Sequence, residues 1–133
     1  VEDATPGLGP AGGFLSALGV AETEYVCVAP CDSPLISPAV YRLLESKAGG
    51  RDAAVPKIRG MFEPLHAVYR REPFLKCLEK IVARGGRRPV LAYESMDVCE
   101  VDGDELKKLD PRLATFFNVN TKEDLEAAEL LLR

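Results

Sequence analysis

EYVCVAPCDSPLISP, Glu24 to Pro38, decides how the chain folds. Its first half, EYVCVAP, is a compact β-branched and apolar run, the pattern of a strand in a parallel sheet covered on both faces. Its second half holds Asp32 between Pro30 and Pro34, then offers Ser37 as a natural N-cap and Pro38 at the first helical position. AVYRLLESK therefore continues as a helix, which Gly49 and Gly50 stop. A strand that ends in a carboxylate-bearing turn and feeds a helix is a building unit of a layered α/β protein.

On the N-terminal side, GLGPAGGFLSALG, Gly7 to Gly19, contains a literal G-x-G-x-x-G at Gly7, Gly9 and Gly12, and Asp32 follows at the distance a dinucleotide-binding domain uses for ribose. That fingerprint needs a strand running straight into the glycines, so that the sheet aims a helix N-terminus at the pyrophosphate. Only VEDATP precedes Gly7, and it does not read as a full strand. The match is either accidental or belongs to another phosphate chemistry. FLSAL then continues as a short helix.

On the C-terminal side, DAAVPKI and EPLHAVYRR read as two strands joined around Arg59 and Gly60. PFLKCLEKIVAR places Phe74, Leu75, Leu78, Ile81 and Val82 on one helical face, with Gly85 and Gly86 ending it. RPVLAYES reads as a short helix, MDVCEVD as a strand and GDELKKLD as a helical turn. TFFNV is expected to be a strand running into NTKEDLEAAELLLR, where Thr121 and Asp124 form a T-x-x-D capping box worth roughly 1 kcal/mol. Strands alternating with helices predict an α/β fold with a mainly parallel sheet flanked by helices.

At 133 residues and 47% hydrophobic content, residues 1–133 are expected to form a single domain. The formal charge is −4, with Lys and Arg scattered among Asp and Glu, so there is no electrostatic footprint for nucleic acid. No apolar run reaches membrane-spanning length, and the N-terminus lacks a signal-peptide layout, so a soluble cytoplasmic protein without a membrane partner is expected. Cys27, Cys31, Cys77 and Cys99 show no paired C-x-x-C spacing and are expected to be buried or half-buried free thiols. The chain opens at Val1, which keeps processing or truncation open.

In open α/β sheets, ligands lie beyond the carboxyl ends of the strands. Three segments meet that condition: the glycine loop, the Pro30–Pro34 turn, and Asn118 to Thr121. Asp32 is a sound place for Mg²⁺, a hard ion that takes one or two carboxylates plus substrate phosphates, or it only caps a turn. Asn118 and Asn120 alternate around Val119, so a strand there would point both amides to one side; alternatively they are turn-formers. The glycines can bare backbone N–H groups to a phosphate or simply satisfy a tight turn. Arg87 and Arg88 can clamp an anion or sit on a solvated loop. Glu63 is a candidate ligand-facing group. His66, the only histidine, is placed mid-strand and read as structural.

Taken in order, GPAGGFLSAL, VAPCDSPLISP, EPLHAVYRR, GGRRPVL and FFNVNTKEDLEAAE resemble the MobA-like molybdenum cofactor guanylyltransferases, which carry GPLAG, a strand ending in CD-x-P, and NVNTPEDL. The likeness runs across nearly the whole chain. It implies a Rossmann-like nucleotidyltransferase fold, joining GMP from GTP to molybdopterin with release of pyrophosphate. By resemblance, Asp32 would hold Mg²⁺, and Gly9, Pro10 and Gly12 would line the nucleotide and substrate cleft. Asn118 and Asn120 would help place the pterin phosphate or the metal, and Arg87 or Arg88 would meet the pterin. The family also begins with a strand and a loop of the type LAGG-x-S-x-R-M-G-x-x-K, which these residues do not contain. The expectation is therefore a C-terminal part missing the N-terminal strands, impaired in GMP transfer, with an exposed sheet edge that invites homo-oligomers. A noncatalytic pterin- or partner-binding remnant, and a related cytidylyl or sugar-phosphate nucleotidyltransferase, are the competing readings.

Overall fold

The computed structural model describes residues 10–117, 119 and 121–131. Gly7, Gly9, Asn118 and Asn120 lie outside the described residues. Helix α1 (Pro10–Val20) precedes strand β1 (Tyr25–Val28), helix α2 (Pro38–Ala48) and strands β2 (Ala53–Ile58), β3 (Met61–Phe62) and β4 (Ala67–Arg70). Helix α3 (Arg71–Ala83), a 3-10 helix at Pro89–Ser95, strand β5 (Val98–Asp102), the short α4 (Gly103–Lys107), a 3-10 turn at Ala114–Phe116 and α5 (Lys122–Leu131) follow.

The local chemistry explains the boundaries. Arg59 and Gly60 both have positive φ, 54° and 77°, the signature of a two-residue I′ hairpin turn between β2 and β3. At the end of α3, the Gly86 N–H donates to the Ile81 carbonyl at 2.9 Å and the Gly85 N–H to Val82 at 3.0 Å, with Gly85 at φ 87°. That is a Schellman cap, which requires the left-handed residue that glycine supplies. Pro38 opens α2 as expected, but the Ser37 hydroxyl does not cap it. The Ser37 N–H donates instead to Thr115 Oγ1 at 3.0 Å, which ties the helix start to the Ala114–Phe116 turn. The Thr121 capping box forms: Asp124 N–H donates to Thr121 Oγ1 at 3.1 Å, and Thr121 N–H to the Asp124 carboxylate at 3.2 Å.

The sheet is mixed. Strands β1, β2 and β5 run in one direction, and β4 lies antiparallel between β1 and β2, so only the β2–β5 ladder is parallel. The expectation of a mainly parallel sheet thus holds for the shared direction of β1, β2 and β5, not for the hydrogen-bonded pairs. Alternation along the strands feeds two apolar layers. Ala53, Val55, Ala67 and Tyr69 pack with Phe14, Leu18, Phe74 and Leu78 from α1 and α3. Ala54, Val68 and Val101 pack with Val40, Leu44 and Leu106 from α2 and α4. In the first layer Tyr69 stacks on Phe74 at 3.9 Å, and its hydroxyl lies 2.6 Å from that of Tyr93.

Four expectations need correction. TFFNV is no strand among its described residues: Ala114–Phe116 is a 3-10 turn, entered through Leu113 at φ 50°. EYVCVAP is not covered on both faces; β1 is half-exposed, with Cys27 exposed, and among the described residues it pairs with β4 alone. Cys27 and Cys31 are exposed free thiols, whereas Cys77 and Cys99 are half-buried. His66 stands just before β4 and not within a strand. No described helix is long and apolar enough to cross a membrane.

Candidate active site

Strand direction gathers the site at one rim. The carboxyl ends of β1, β2 and β5 share an edge of the sheet with the start of β4, since Val28 pairs with Ala67. Helix α1 packs on α3 and runs the opposite way: near its far end the Leu18 carbonyl accepts at 2.8 Å from Nε of Arg71, the residue that follows the β4 terminus and opens α3. The start of α1, with Gly12, therefore lies at the carboxyl rim. There the Ala11 N–H donates to the Arg87 carbonyl at 3.1 Å, which joins the glycine segment to the loop after α3.

Asp32 stands at the same rim in the turn that follows β1. Its carbonyl accepts from the Val119 N–H at 2.7 Å, so the turn and the segment of the two asparagines meet directly. The Asp32 carboxylate is half-exposed and, among the described residues, makes no hydrogen bond or ion pair. Next to it, the buried Ser33 Oγ lies 3.4 Å from His66 Nε2, with the donor set by the imidazole tautomer. The His66 ring meets the edge of Phe116 at 4.9 Å.

Two buried polar groups and the half-buried Tyr41 hold this arrangement. The Asp110 carboxylate accepts from the Ala114 N–H at 3.1 Å and the Thr115 N–H at 2.8 Å, and thereby bends the chain into the turn that carries Phe116. Thr115, fully buried, receives the Ser37 N–H. Tyr41 of α2 donates to the Val28 carbonyl at 2.7 Å, and burial, with the nearby Cys27 next in weight, pushes its phenol up to about 12. Burial lowers the His66 imidazole below its usual 6.5, against the pull of the Asp32 charge. Burial alone raises the Glu63 carboxyl.

Of the residues singled out from the sequence, Asp32 and Gly12 share the rim, and Arg87 reaches it through its backbone. The Arg87 and Arg88 side chains are exposed and form no ion pair among the described residues. Pro10 opens α1. His66, Asp110 and Thr115 were not marked as site residues; the signal for the last two was an Asp-Pro step followed by a threonine, an Asx-turn pattern.

The sequence profile of the MobA-like NTP transferase domain matches residues 1–98. The chain belongs to this family. Over 129 residues the MobA-like chain is 43% identical to a protein of Methanosarcina mazei named as a probable molybdenum cofactor guanylyltransferase, covering 95% of the chain and 55% of that relative. It thus spans little more than half the length of that curated relative. The crystal structure of molybdopterin-guanine dinucleotide biosynthesis protein A from Archaeoglobus fulgidus superposes with a TM-score of 0.80 at 32% identity, over 99% of this chain and 67% of the other. A 2-C-methyl-D-erythritol 4-phosphate cytidylyltransferase from Thermus thermophilus matches with a TM-score of 0.66 at 19% identity, over 92% of this chain and 69% of the other. That last likeness shows the shared Rossmann-like nucleotidyltransferase fold and nothing finer.

Proposed function

We propose that the chain takes part in transfer of GMP from GTP to molybdopterin, releasing pyrophosphate, as a cytoplasmic step of molybdenum cofactor biosynthesis. The observation that carries this reading is the junction of Asp32 with Val119 at the carboxyl rim, 2.7 Å between carbonyl and N–H. It brings Val119 to the turn of a carboxylate that has no hydrogen bond or ion pair among the described residues, on the same rim as the start of α1.

Mg²⁺ fits this rim as an ion completed by substrate. Among the described residues no three acidic, His or Cys side chains cluster as a closed metal site. One half-exposed carboxylate, unpaired among the described residues, leaves the remaining positions to phosphate oxygens and water, the coordination Mg²⁺ favours. When bound, the ion would neutralise charge on the α-phosphate and the leaving pyrophosphate, the chief barrier to attack by one phosphate on another. The chain itself supplies position. Asp32 marks the metal side, Gly9, Pro10 and Gly12 line the cleft, Asn118 and Asn120 place the pterin phosphate or the metal, and Arg87 or Arg88 meets the pterin. Since these residues contain no LAGG-type triphosphate loop, the 133-residue polypeptide on its own transfers GMP feebly. Its half-exposed β1 edge pairs copies at high concentration, which light scattering reads as a dimer; a strict monomer there contradicts that part.

Thermal melting in the presence of Mg-GTP, Mg-CTP and the pterin tests the substrate assignment. A ligand at a hundred times its Kd adds about 2.7 kcal/mol to folding stability. Stabilisation by Mg-GTP above Mg-CTP supports the guanylyl reading. Response to the pterin or a partner protein without any response to Mg-nucleotide marks a noncatalytic module instead.

A further inference from the structure

We propose that His66 is a positioning residue of the nucleotidyl-transfer site, clamping the Asp32 turn against Phe116 and so keeping it in reach of Val119. The inference rests on the reading of Asp32 given above and extends it. His66 is 2% exposed and touches both segments at once: Ser33 Oγ lies 3.4 Å from its Nε2, and Phe116 packs edge-on at 4.9 Å. These are the two segments that the Val119 N–H and the Asp32 carbonyl join. Behind the ring, the His66 N–H donates to the Glu63 carbonyl at 3.1 Å, and the next residue, Ala67, pairs with Val28 at the end of β1. The His66 main chain is therefore held beside the sheet, while its imidazole meets Ser33 and Phe116.

Filling space alone does not account for an imidazole here. Its Nδ1 is buried and, among the described residues, has no hydrogen-bond partner, a cost that a leucine of similar size would not carry. What the ring adds over leucine is the polar edge that meets Ser33, one residue from Asp32. Losing that edge frees the turn, and the Asp32 carboxylate it carries, to drift relative to Val119.

The test uses the ¹⁵N-labelled chain with His66→Leu, His66→Gln and Asp32→Asn, reading amide hydrogen exchange and the affinity for Mn²⁺ by electron paramagnetic resonance. In His66→Leu the Val119 N–H is expected to exchange roughly tenfold faster, the scale of one lost weak hydrogen bond, while Ala54 and Val101 in the sheet keep their protection. Mn²⁺ affinity falls alongside by about five- to tenfold, and His66→Gln, whose amide can still reach Ser33, recovers most of both. Unchanged Val119 protection in His66→Leu overturns the proposal, as does His66→Gln behaving like the leucine variant. If His66→Leu does not fold, Ser33→Ala reads the same contact with the ring kept, and undisturbed Val119 exchange there overturns the proposal equally. Asp32→Asn separates the two claims: if it leaves Mn²⁺ affinity intact, the metal reading of Asp32 fails, and the exchange data still decide the role of His66.

Discussion

The backbone N–H of Val119 donates to the carbonyl oxygen of Asp32 across 2.7 Å, although the two lie 87 positions apart in the chain. That bond uses main-chain atoms at both ends, so it holds the turn after β1 without occupying the Asp32 carboxylate. The carboxylate stays available to a ligand while its base is fixed.

The Asp110 carboxylate captures two N–H groups, Ala114 and the buried Thr115. Asp110→Ala leaves both without their acceptor and is expected to cost about 2–3 kcal/mol, the range for hydrogen bonds to a charged group. Urea denaturation measures it, and a loss under about 0.5 kcal/mol, the level of an ordinary surface change, contradicts the assignment.

Gly86 is a packing requirement of the loop that carries Arg87 and Arg88. A Cβ there would stand 2.5 Å from Ile81 Cγ2 and 3.2 Å from the Ile81 carbonyl. Gly86→Ala is expected to destabilise the fold by about 1–3 kcal/mol, as overpacking does. Gly19→Ala, where nothing lies within 4 Å, is the matched control and should be neutral or stabilising.

Because the chain contains a single histidine, its ring titration is a direct observable. Burial holds the folded imidazole below the ordinary 6.5 while Asp32 pulls the other way, so Asp32→Asn should lower the midpoint further. The sign for stability follows: the unfolded chain binds the proton first, so this contribution is lost as pH falls from about 6.5 through the folded value. Proton NMR of the His66 ring gives the midpoint. Melting of wild type against His66→Gln between pH 7 and pH 5 gives the stability difference, and parallel pH profiles for the two would contradict it.

Several elements were legible because local chemistry and tertiary packing agree. Pro38 with Gly49 and Gly50 bounds α2, Gly85 and Gly86 end α3 in a Schellman cap, and Arg59-Gly60 turns the hairpin. The misread elements are those where a distant partner decides. TFFNV has the aromatic and β-branched content of a strand, yet Asp110 takes its neighbouring N–H groups and bends it into a 3-10 turn. YVCV looks like a central strand because its residues suit two covered faces, whereas the described sheet pairs it on one side only. For His66, read from the sequence as structural, the contacts with Ser33 and Phe116 were not legible, since these lie 33 and 50 residues away. That Asp32 would stand in the turn after β1 was legible because a carboxylate between two prolines at a strand end is local information.

Calorimetric titration of Mg-GTP into wild type and Asp32→Asn, on the chain and on a version carrying an LAGG-type loop, tests the central claim most directly. The carboxylate is half-exposed and makes no hydrogen bond or ion pair among the described residues, so the melting temperature should stay within about 2 °C, as for a neutral surface change, while nucleotide affinity in the presence of Mg²⁺ falls at least about tenfold. Equal affinity of the two proteins for Mg-GTP would contradict the placement of the metal at Asp32.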